Sequence, residues 1–208
     1  MALGPVPITG DDDFYPKDVH GKASGEPTFV IRAEKCPNRR GVEAVLRRFR
    51  GQVIDFDQMM RETARRPIDA LYLTGGYDQY CWTGEQVDRL KYLGFLVVQD
   101  IVASPLTAAA TVILAGGSFA EKDGTFVNKA GLAQSIRRSI RSPGEARPDG
   151  RILWDLCGRT GLFHAGKLRQ EIANEIPELG RLQSELGEEG VRLFESATEP
   201  TLTSTTGR

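Results

Sequence analysis

The chain has 208 residues, a formal net charge of −1, 40% hydrophobic residues and 26% charged residues. This composition is typical of a folded domain, and the near-zero charge argues against a dedicated nucleic-acid-binding protein, which needs a surplus of Lys and Arg on one face. No run approaches the roughly 18 apolar residues of a membrane span, and the N-terminus lacks the pattern of a secretory signal. These features predict a cytoplasmic protein.

The cysteines and histidines indicate no metal site. Cys36, Cys81 and Cys157 are far apart and form no CxxC pair, whereas zinc ribbons and iron–sulfur clusters need closely spaced thiolates. His20 and His164 also lack metal-ligand spacing. No acid–base pair or activated nucleophile can be assembled from spacing. We therefore predict no catalytic and no metal-binding residue.

The chain divides into three predicted regions. Residues 1–27 are rich in Gly and Pro and predict a loop-rich arm. Residues 28–178 carry alternating strand and helix patterns and predict one α/β domain. Residues 179–208 predict a short leucine-containing helix followed by a polar, disordered tail.

Strand and helix patterns alternate through the first half of the α/β region. Strands are predicted at TFVIRA, QVIDF, IDALYL, FLVVQDIV and TVILA. Helices are predicted after Pro37, over DQMMRETARR, after a capping box formed by Thr83 and Gln86, and near Leu106–Ala110. At least four strand–helix alternations predict an open, mainly parallel sheet with helices on both faces, a Rossmann-like architecture.

A long Gly-rich segment, GGSFAEKDGTFVNKAGLAQ, follows the last predicted strand. Its length and composition predict a loop, with C-terminal helices after it. We expect Asp149 to cap the first of these helices, and Leu168 and Ile172 to mark the second, which ends near Pro177.

Two segments carry residue types that suit a ligand at the end of a sheet. The sequence TGGYD (74–78) follows IDALYL, and the polar residues between Glu121 and Asn128 lie within the Gly-rich segment. Each also has a structural explanation, as a tight turn or as a loop whose polar groups satisfy one another. The arginine-rich face over residues 39–50 is likewise compatible with an acidic partner or with simple solvation.

The sequences FLVVQDI (95–101), SFAEKDGTFVN (118–128) and PGEARP (143–148) resemble, in this order, the late part of the molybdopterin oxidoreductase superfamily. Within the superfamily, the chain is more similar to the C-terminal portion of the large iron–sulfur subunit of NADH:quinone oxidoreductase, respiratory complex I, than to a formate dehydrogenase. The resemblance implies a structural module of respiratory electron transfer without iron–sulfur ligands of its own. The clusters would lie in a partner chain or in another domain.

The same resemblance implies partners and location. We expect other subunits of a respiratory oxidoreductase, including an iron–sulfur subunit, no nucleic acid, and a position in the cytoplasm or, through the complex, on the cytoplasmic face of the inner membrane. Thr111, Ala115, Ala130 and Leu132 stand where the family usually has Asp, Pro, an acidic residue and Arg. Because these changes remove charge and hydrogen-bond donors, we expect no cofactor in this chain.

The resemblance also leaves an alternative, a part of a formate-dehydrogenase-like enzyme that helps to bind a molybdopterin guanine dinucleotide. In cofactor-binding members of the family, two loops lie near this nucleotide. The corresponding positions here are Gly75, Gly76, Asp78, Thr107, Glu121, Gly124, Thr125 and Asn128. A third possibility is a free-standing nucleotide-sensing or scaffold domain that docks through the arginine-rich face.

Overall fold

The computed structural model describes residues 12–31, 38–48, 54–66, 68–75 and 82–194. The strands in these residues are β1 Asp13–Tyr15, β2 Phe29–Ile31, β3 Ala70–Thr74, β4 Phe95–Asp100, β5 Val112–Ala115, β6 Gly124–Val127, β7 Leu132–Ile136 and β8 Val191–Arg192. The α-helices are α1 Arg39–Arg48, α2 Phe56–Arg65, α3 Gly84–Leu90, α4 Pro105–Ala109, α5 Asp149–Leu156 and α6 Ala165–Glu175. Two 3-10 helices cover Phe119–Glu121 and Pro177–Gln183.

An open parallel sheet in the order β3-β4-β5 confirms the predicted α/β class. Its strands are the predicted IDALYL, FLVVQDIV and TVILA segments, and Leu71 pairs with Leu96, and Val98 with Ile113. The predicted TFVIRA strand also forms, as β2, but it pairs antiparallel with β1. The described parallel sheet therefore has three strands, fewer than the predicted alternations require. The described part of the arm contains β1 and, at Lys17, an antiparallel bridge.

Helices α3 and α4 begin with capping boxes and cover one face of this sheet. Thr83 and Gln86 exchange side-chain and backbone hydrogen bonds at the start of α3, as predicted, and Ser104 and Thr107 do so at α4. Since right-handed crossovers that move in one direction across a sheet place their helices on the same side, both helices pack on one face. The first core lies there and contains Phe56, Met60, Val87, Leu90, Leu96, Val98 and Leu106.

The other face of the sheet carries partly exposed apolar side chains, although Gln99 at its carboxyl end is buried. Side chains alternate along β4, so Leu96 and Val98 are 1% and 0% exposed, whereas Phe95 is 44% exposed. On the neighbouring strands, Tyr72 and Val112 share this second face through their pairing with Val97. They are 38% and 37% exposed. The predicted covering of both faces by helices is therefore not confirmed among the described residues, where α5 contacts the second face through the hydrogen bond between Asp149 and Gln99.

Of the predicted QVIDF strand, residues 52 and 53 lie outside the described residues, and a helix begins directly after Asp55. Asp55 is the N-cap of α2, where its side chain accepts a hydrogen bond from Gln58 N at 2.7 Å. Phe56 is then the first helical residue and is buried in the first core. A capping aspartate followed by an apolar residue that enters the core overrides a short strand pattern. The remaining part of helix α2 agrees with the prediction.

The Gly-rich segment is not an irregular loop, because β6 and β7 form an antiparallel hairpin within it. Asn128 closes the turn, since its Oδ1 accepts hydrogen bonds from Ala130 N at 2.9 Å and Leu132 N at 3.0 Å. Gly131 has φ +78°, a conformation that glycine adopts without strain. Short apolar stretches on both sides of this turn then pair as strands, and β8 extends the sheet.

A second core lies between this hairpin, α6 and the following 3-10 helix. It contains Val127, Ala133, Ala173, Ile176, Leu179, Leu182 and Leu186. Helix α1, predicted from the residues after Pro37, packs against it through Ala44 and Val45. Helix α6 forms as predicted, and the following 3-10 helix over Pro177–Gln183 contains two of the leucines of the predicted short helix, Leu179 and Leu182.

The arginine-rich face of α1 makes contacts within the chain. Arg40 donates a hydrogen bond to Lys129 O at 2.8 Å, and Arg48 donates one to Glu175 O at 3.1 Å. Arg47 pairs with Glu43. Arg40 and Arg48 therefore hold α1 against neighbouring segments, whereas the Arg47–Glu43 pair lies within the helix. The predicted disordered tail lies outside the described residues, and none of the helices in the described ranges is both long enough and apolar enough to cross a bilayer.

Candidate functional site at the carboxyl edge of the parallel sheet

The carboxyl ends of β3, β4 and β5 bring three short segments side by side. Thr74 pairs with Gln99, and Asp100 pairs with Ala115. The next backbone groups continue this pattern, because Gly75 N donates to Gln99 O at 2.7 Å and Gly116 N donates to Asp100 O at 2.9 Å. In open α/β sheets, ligands bind beyond this edge.

A chain of polar side chains crosses this edge on the second face of the sheet. The Tyr72 hydroxyl donates to Gln99 Oε1, Gln99 Nε2 donates to Asp149 Oδ1 at 2.6 Å, and Lys122 Nζ donates to Asp149 Oδ2. Gln99 is only 3% exposed, so this network satisfies an amide that would otherwise be buried without partners. We call these four side chains the edge network.

Asp149 has a different role from the predicted one. The N-cap of α5 is Pro148, and Asp149 occupies the first turn of the helix. Its carboxylate points to Gln99 and Lys122 and so joins α5 to the sheet and to the Gly-rich segment. The Lys122–Asp149 pair is partly buried, with side chains 23% and 30% exposed.

The pKa of the Tyr72 hydroxyl is raised above its ordinary value. Burial of the phenol is the main cause, and the negative charge of Asp149 adds to it. Both effects disfavour a phenolate, so Tyr72 stays a hydrogen-bond donor to Gln99 up to a higher pH than a free tyrosine would.

Two glycines let carboxylates approach the backbone at this edge. A Cβ atom on Gly75 would lie 2.2 Å from Asp100 Oδ2, and one on Gly116 would lie 2.7 Å from Asp149 Oδ1. Any larger residue would force these carboxylates to move. A side chain at Gly75 would therefore displace the Asp100 carboxylate.

Glu121 lies beside a buried hydroxyl without a partner. Ser118 Oγ donates to Glu121 Oε1 at 2.9 Å. A Cβ atom on Gly117 would lie 3.3 Å from both Ser142 Oγ and the Glu121 Cβ, so these groups surround one glycine. Ser142 Oγ is buried and has no hydrogen-bond partner in the described structure. A buried hydroxyl of this kind is a polar group that a further hydrogen-bonding partner would satisfy.

The other predicted positions lie apart from this edge or have local partners. Thr107 is buried in α4, and its hydroxyl donates to Ser104 O at 2.8 Å. Gly124 and Thr125 lie in β6, and Asn128 closes the hairpin turn. Thr125 lines an apolar cavity of about 290 Å³ between α1 and α6.

Three observations complete the account of the predicted residues. Gly76 and Asp78 lie outside the described residues. His164 is the N-cap of α6, where its Nδ1 accepts a hydrogen bond from Lys167 N at 3.2 Å. Among the described residues, no group of three or more His, Cys, Asp or Glu side chains could hold a metal ion.

The sequence model of the molybdopterin oxidoreductase family matches residues 47–159, which include the parallel sheet and the whole edge network. The chain is 40% identical over 109 residues to the alpha subunit of F420-dependent formate dehydrogenase 1 of Methanococcus maripaludis, a match that covers 49% of this chain and 16% of that protein. It is 42% identical over 90 residues to the corresponding subunit of Methanocaldococcus jannaschii, covering 42% and 13%. A putative formate dehydrogenase of Bacillus subtilis is 29% identical over 141 residues, covering 64% and 14%.

These similarities correct the assignment within the superfamily. The relatives are named formate dehydrogenases, so the expected similarity to the complex I subunit, with its quinone and respiratory-chain associations, is not supported. The chain spans less than a fifth of the length of each of these relatives. Because the family model matches more than half of the sequence, the chain belongs to the molybdopterin oxidoreductase family.

Proposed function

We propose that the chain is part of a formate-dehydrogenase-like molybdopterin oxidoreductase and that the carboxyl edge of its parallel sheet helps to bind the guanine nucleotide half of the cofactor. The observation that carries this proposal is the combination of family membership with the polar, glycine-lined edge formed by Gly75, Gly116 and the edge network. The relatives support the choice of formate as the substrate of the complete enzyme.

The side chains at this edge suit a nucleoside better than a bare phosphate. Asp100, Glu121 and Asp149 contribute three carboxylates, against the single ammonium group of Lys122 in the edge network. Carboxylates only accept hydrogen bonds, and each oxygen has two lone pairs. They therefore match the N–H groups of guanine and the hydroxyls of ribose, whereas they repel phosphate.

The residues present fit this role through their chemistry and spacing. At the ends of β3 and β5, the carboxylates of Asp100 and Asp149 lie against Gly75 and Gly116, and the buried hydroxyl of Ser142 lies near Gly117. In the proposal, Asp100 and Glu121 accept hydrogen bonds from the nucleotide, and the edge network fixes the position of α5 beside it. When bound, the cofactor supplies the metal centre that exchanges electrons with the substrate.

Several predicted positions remain outside this assignment. Gly76 and Asp78 stay predictions from the family resemblance. Thr107, Gly124, Thr125 and Asn128 also stay predictions, although the hydroxyl of Thr107 and the side-chain oxygen of Asn128 already make hydrogen bonds within the chain. Other subunits, including one that holds iron–sulfur clusters, are part of the same proposal. Two of the relatives are named as alpha subunits.

Calorimetric titration of the purified chain with GMP tests the nucleotide part of this proposal. We expect GMP to bind at least tenfold more tightly than AMP, and inorganic phosphate to show no binding. Asp100→Asn should weaken GMP binding by about 10- to 150-fold, because a charge-assisted hydrogen bond contributes about 1.5–3 kcal/mol.

Asp88→Asn provides a matched control, because Asp88 is an exposed carboxylate on α3, away from the edge. This variant should bind GMP like the wild type. Absence of GMP binding at millimolar concentration, or equal loss in both variants, would contradict the assignment of the edge as a nucleotide site.

A further inference from the structure

Exposed cationic and apolar side chains lie together directly after strand β7. Ile140 is 57% exposed, and its backbone N–H donates a hydrogen bond to Ala120 O at 3.1 Å. This bond brings Ile140 next to the 3-10 helix that carries Phe119, whose side chain is 70% exposed. Three exposed arginines flank Ile140 in the same segment. We call the following five residues the basic strip: Phe119, Arg137, Arg138, Ile140 and Arg141.

The three guanidinium groups of the basic strip have no acceptor among the described residues, where none of them donates a hydrogen bond or forms an ion pair. Two arginines further along the chain differ, because Arg147 and Arg151 both pair with Asp155. The nearby Asp123 carboxylate accepts a hydrogen bond from the backbone N–H of Arg138 at 3.0 Å. Since each guanidinium carries five N–H donors, the strip presents many donors to a partner.

The segments that the structure does not describe are poor in carboxylates. Residues 1–11, 32–37 and 76–81 contain one acidic residue each, and residues 49–53 and 67 contain none. Residues 195–208 contain two, Glu195 and Glu199. None of these segments therefore supplies one carboxylate for each arginine of the basic strip.

We propose that the basic strip binds an acidic surface of another subunit, and that Phe119 and Ile140 make the apolar contacts at the centre of this interface. All three cations are arginines, which pair with carboxylates through two parallel hydrogen bonds. Arginine and aromatic residues are enriched in protein–protein interfaces, whereas lysine is depleted. An anionic membrane or a nucleic acid attracts lysine as well as arginine, yet residues 137–141 contain no lysine. The inference rests on the proposed function only in that a complete enzyme of this kind includes other subunits.

Zero-length cross-linking of the full chain in its native host tests this inference. The variant Arg138→Lys with Arg141→Lys keeps both charges and adds two amines, which a carbodiimide joins only to a carboxylate in direct contact. The matched control is Arg61→Lys, since Arg61 is an exposed arginine on α2 that forms no ion pair among the described residues. Mass spectrometry maps the linked carboxylates. Circular dichroism melting of each purified variant shows whether it folds like the wild type.

We expect links from positions 138 and 141 to Asp or Glu side chains of a co-purifying subunit, with a yield at least tenfold above that from position 61. The charge-reversed variant Arg138→Glu with Arg141→Glu should lower recovery of that subunit at least tenfold. Unchanged recovery, links only to carboxylates of the polypeptide that carries the strip, or no links from folded variants would overturn the inference.

Two further measurements separate this inference from its alternatives. Binding to phosphatidylglycerol vesicles that requires both arginines, without links to a protein, would overturn the inference in favour of a membrane surface. Titration with GMP reports on the carboxyl edge of the parallel sheet and does not involve the basic strip. The nucleotide proposal and this one can therefore fail separately.

Discussion

Replacing Asp149 by alanine should destabilise the chain more than removing one exposed surface charge would. The buried amide of Gln99 loses its 2.6 Å acceptor, which costs about 1–3 kcal/mol because the donor is left without a partner. The partly exposed pair with Lys122 adds about 1 kcal/mol. The expected loss is therefore about 2–4 kcal/mol, a large part of the roughly 5–15 kcal/mol that stabilises a typical protein.

Urea unfolding followed by circular dichroism measures this loss. With a slope of about 2 kcal/mol per molar, the midpoint of Asp149→Ala should fall by about 1–2 M. The midpoint of Asp149→Asn should fall by less, because the amide oxygen of asparagine still accepts one of the two hydrogen bonds. Asp88→Ala is the control, since it removes an exposed aspartate whose partner, Lys91, is also exposed. Equal midpoints for Asp149→Ala and Asp88→Ala would refute the argument that burial of the edge network sets the cost.

Three further predictions follow from local geometry. Gly190→Ala should reduce the free energy of unfolding by about 1–3 kcal/mol, because φ is +75° and the new Cβ would lie 2.4 Å from a backbone carbonyl oxygen of β7. Gly187→Ala should be nearly neutral, because no atom lies within 4 Å of the new Cβ, and equal effects of the two variants in thermal melts would contradict this. Thr83→Ala should reduce the free energy of unfolding by about 1 kcal/mol, because the α3 cap is lost, whereas Thr83→Ser should keep most of the wild-type stability. Equal urea midpoints for the two variants would count against the cap. Because the pKa of Tyr72 is raised, its hydroxyl contributes stability below a pH of about 10 that is lost as the pH rises through the folded pKa. Absorbance titration at alkaline pH should therefore show a late-ionising tyrosine that disappears in Tyr72→Phe and ionises earlier in Asp149→Ala. An unchanged titration in Tyr72→Phe would refute this.

The strands and helices of the parallel sheet could be predicted because their signals are local. The unbroken apolar run of β4 indicates a central strand, and the Thr83 and Gln86 capping box marks the start of α3. The sequence pattern predicts a loop where the structure has a hairpin in the Gly-rich segment, although signals for the hairpin exist. Asn128 and Gly131 form a turn between two stretches with strand character. Such turn residues indicate a hairpin only when the flanking stretches pair as strands, and that pairing is not visible in the local sequence.

The candidate site could be predicted only in part, because its contacts join residues far apart in the chain. Gly75 and Glu121 were identified from the family resemblance and lie at or near the carboxyl edge. Gln99 and Asp149 are 50 positions apart, and only the fold brings them together. A buried glutamine at the end of an apolar strand is the one sequence signal that could have indicated the edge network, since a buried amide requires polar partners.

The most direct test of membership in a formate-dehydrogenase-like enzyme is affinity purification of the tagged chain from its native host. Mass spectrometry then identifies the partners, and an assay measures formate-dependent reduction of a dye. The account predicts that the chain is recovered with other subunits of a molybdopterin oxidoreductase and that these fractions reduce the dye when formate is added. Recovery with flavin and iron–sulfur subunits of an NADH-oxidising complex, without formate-dependent activity, would contradict it.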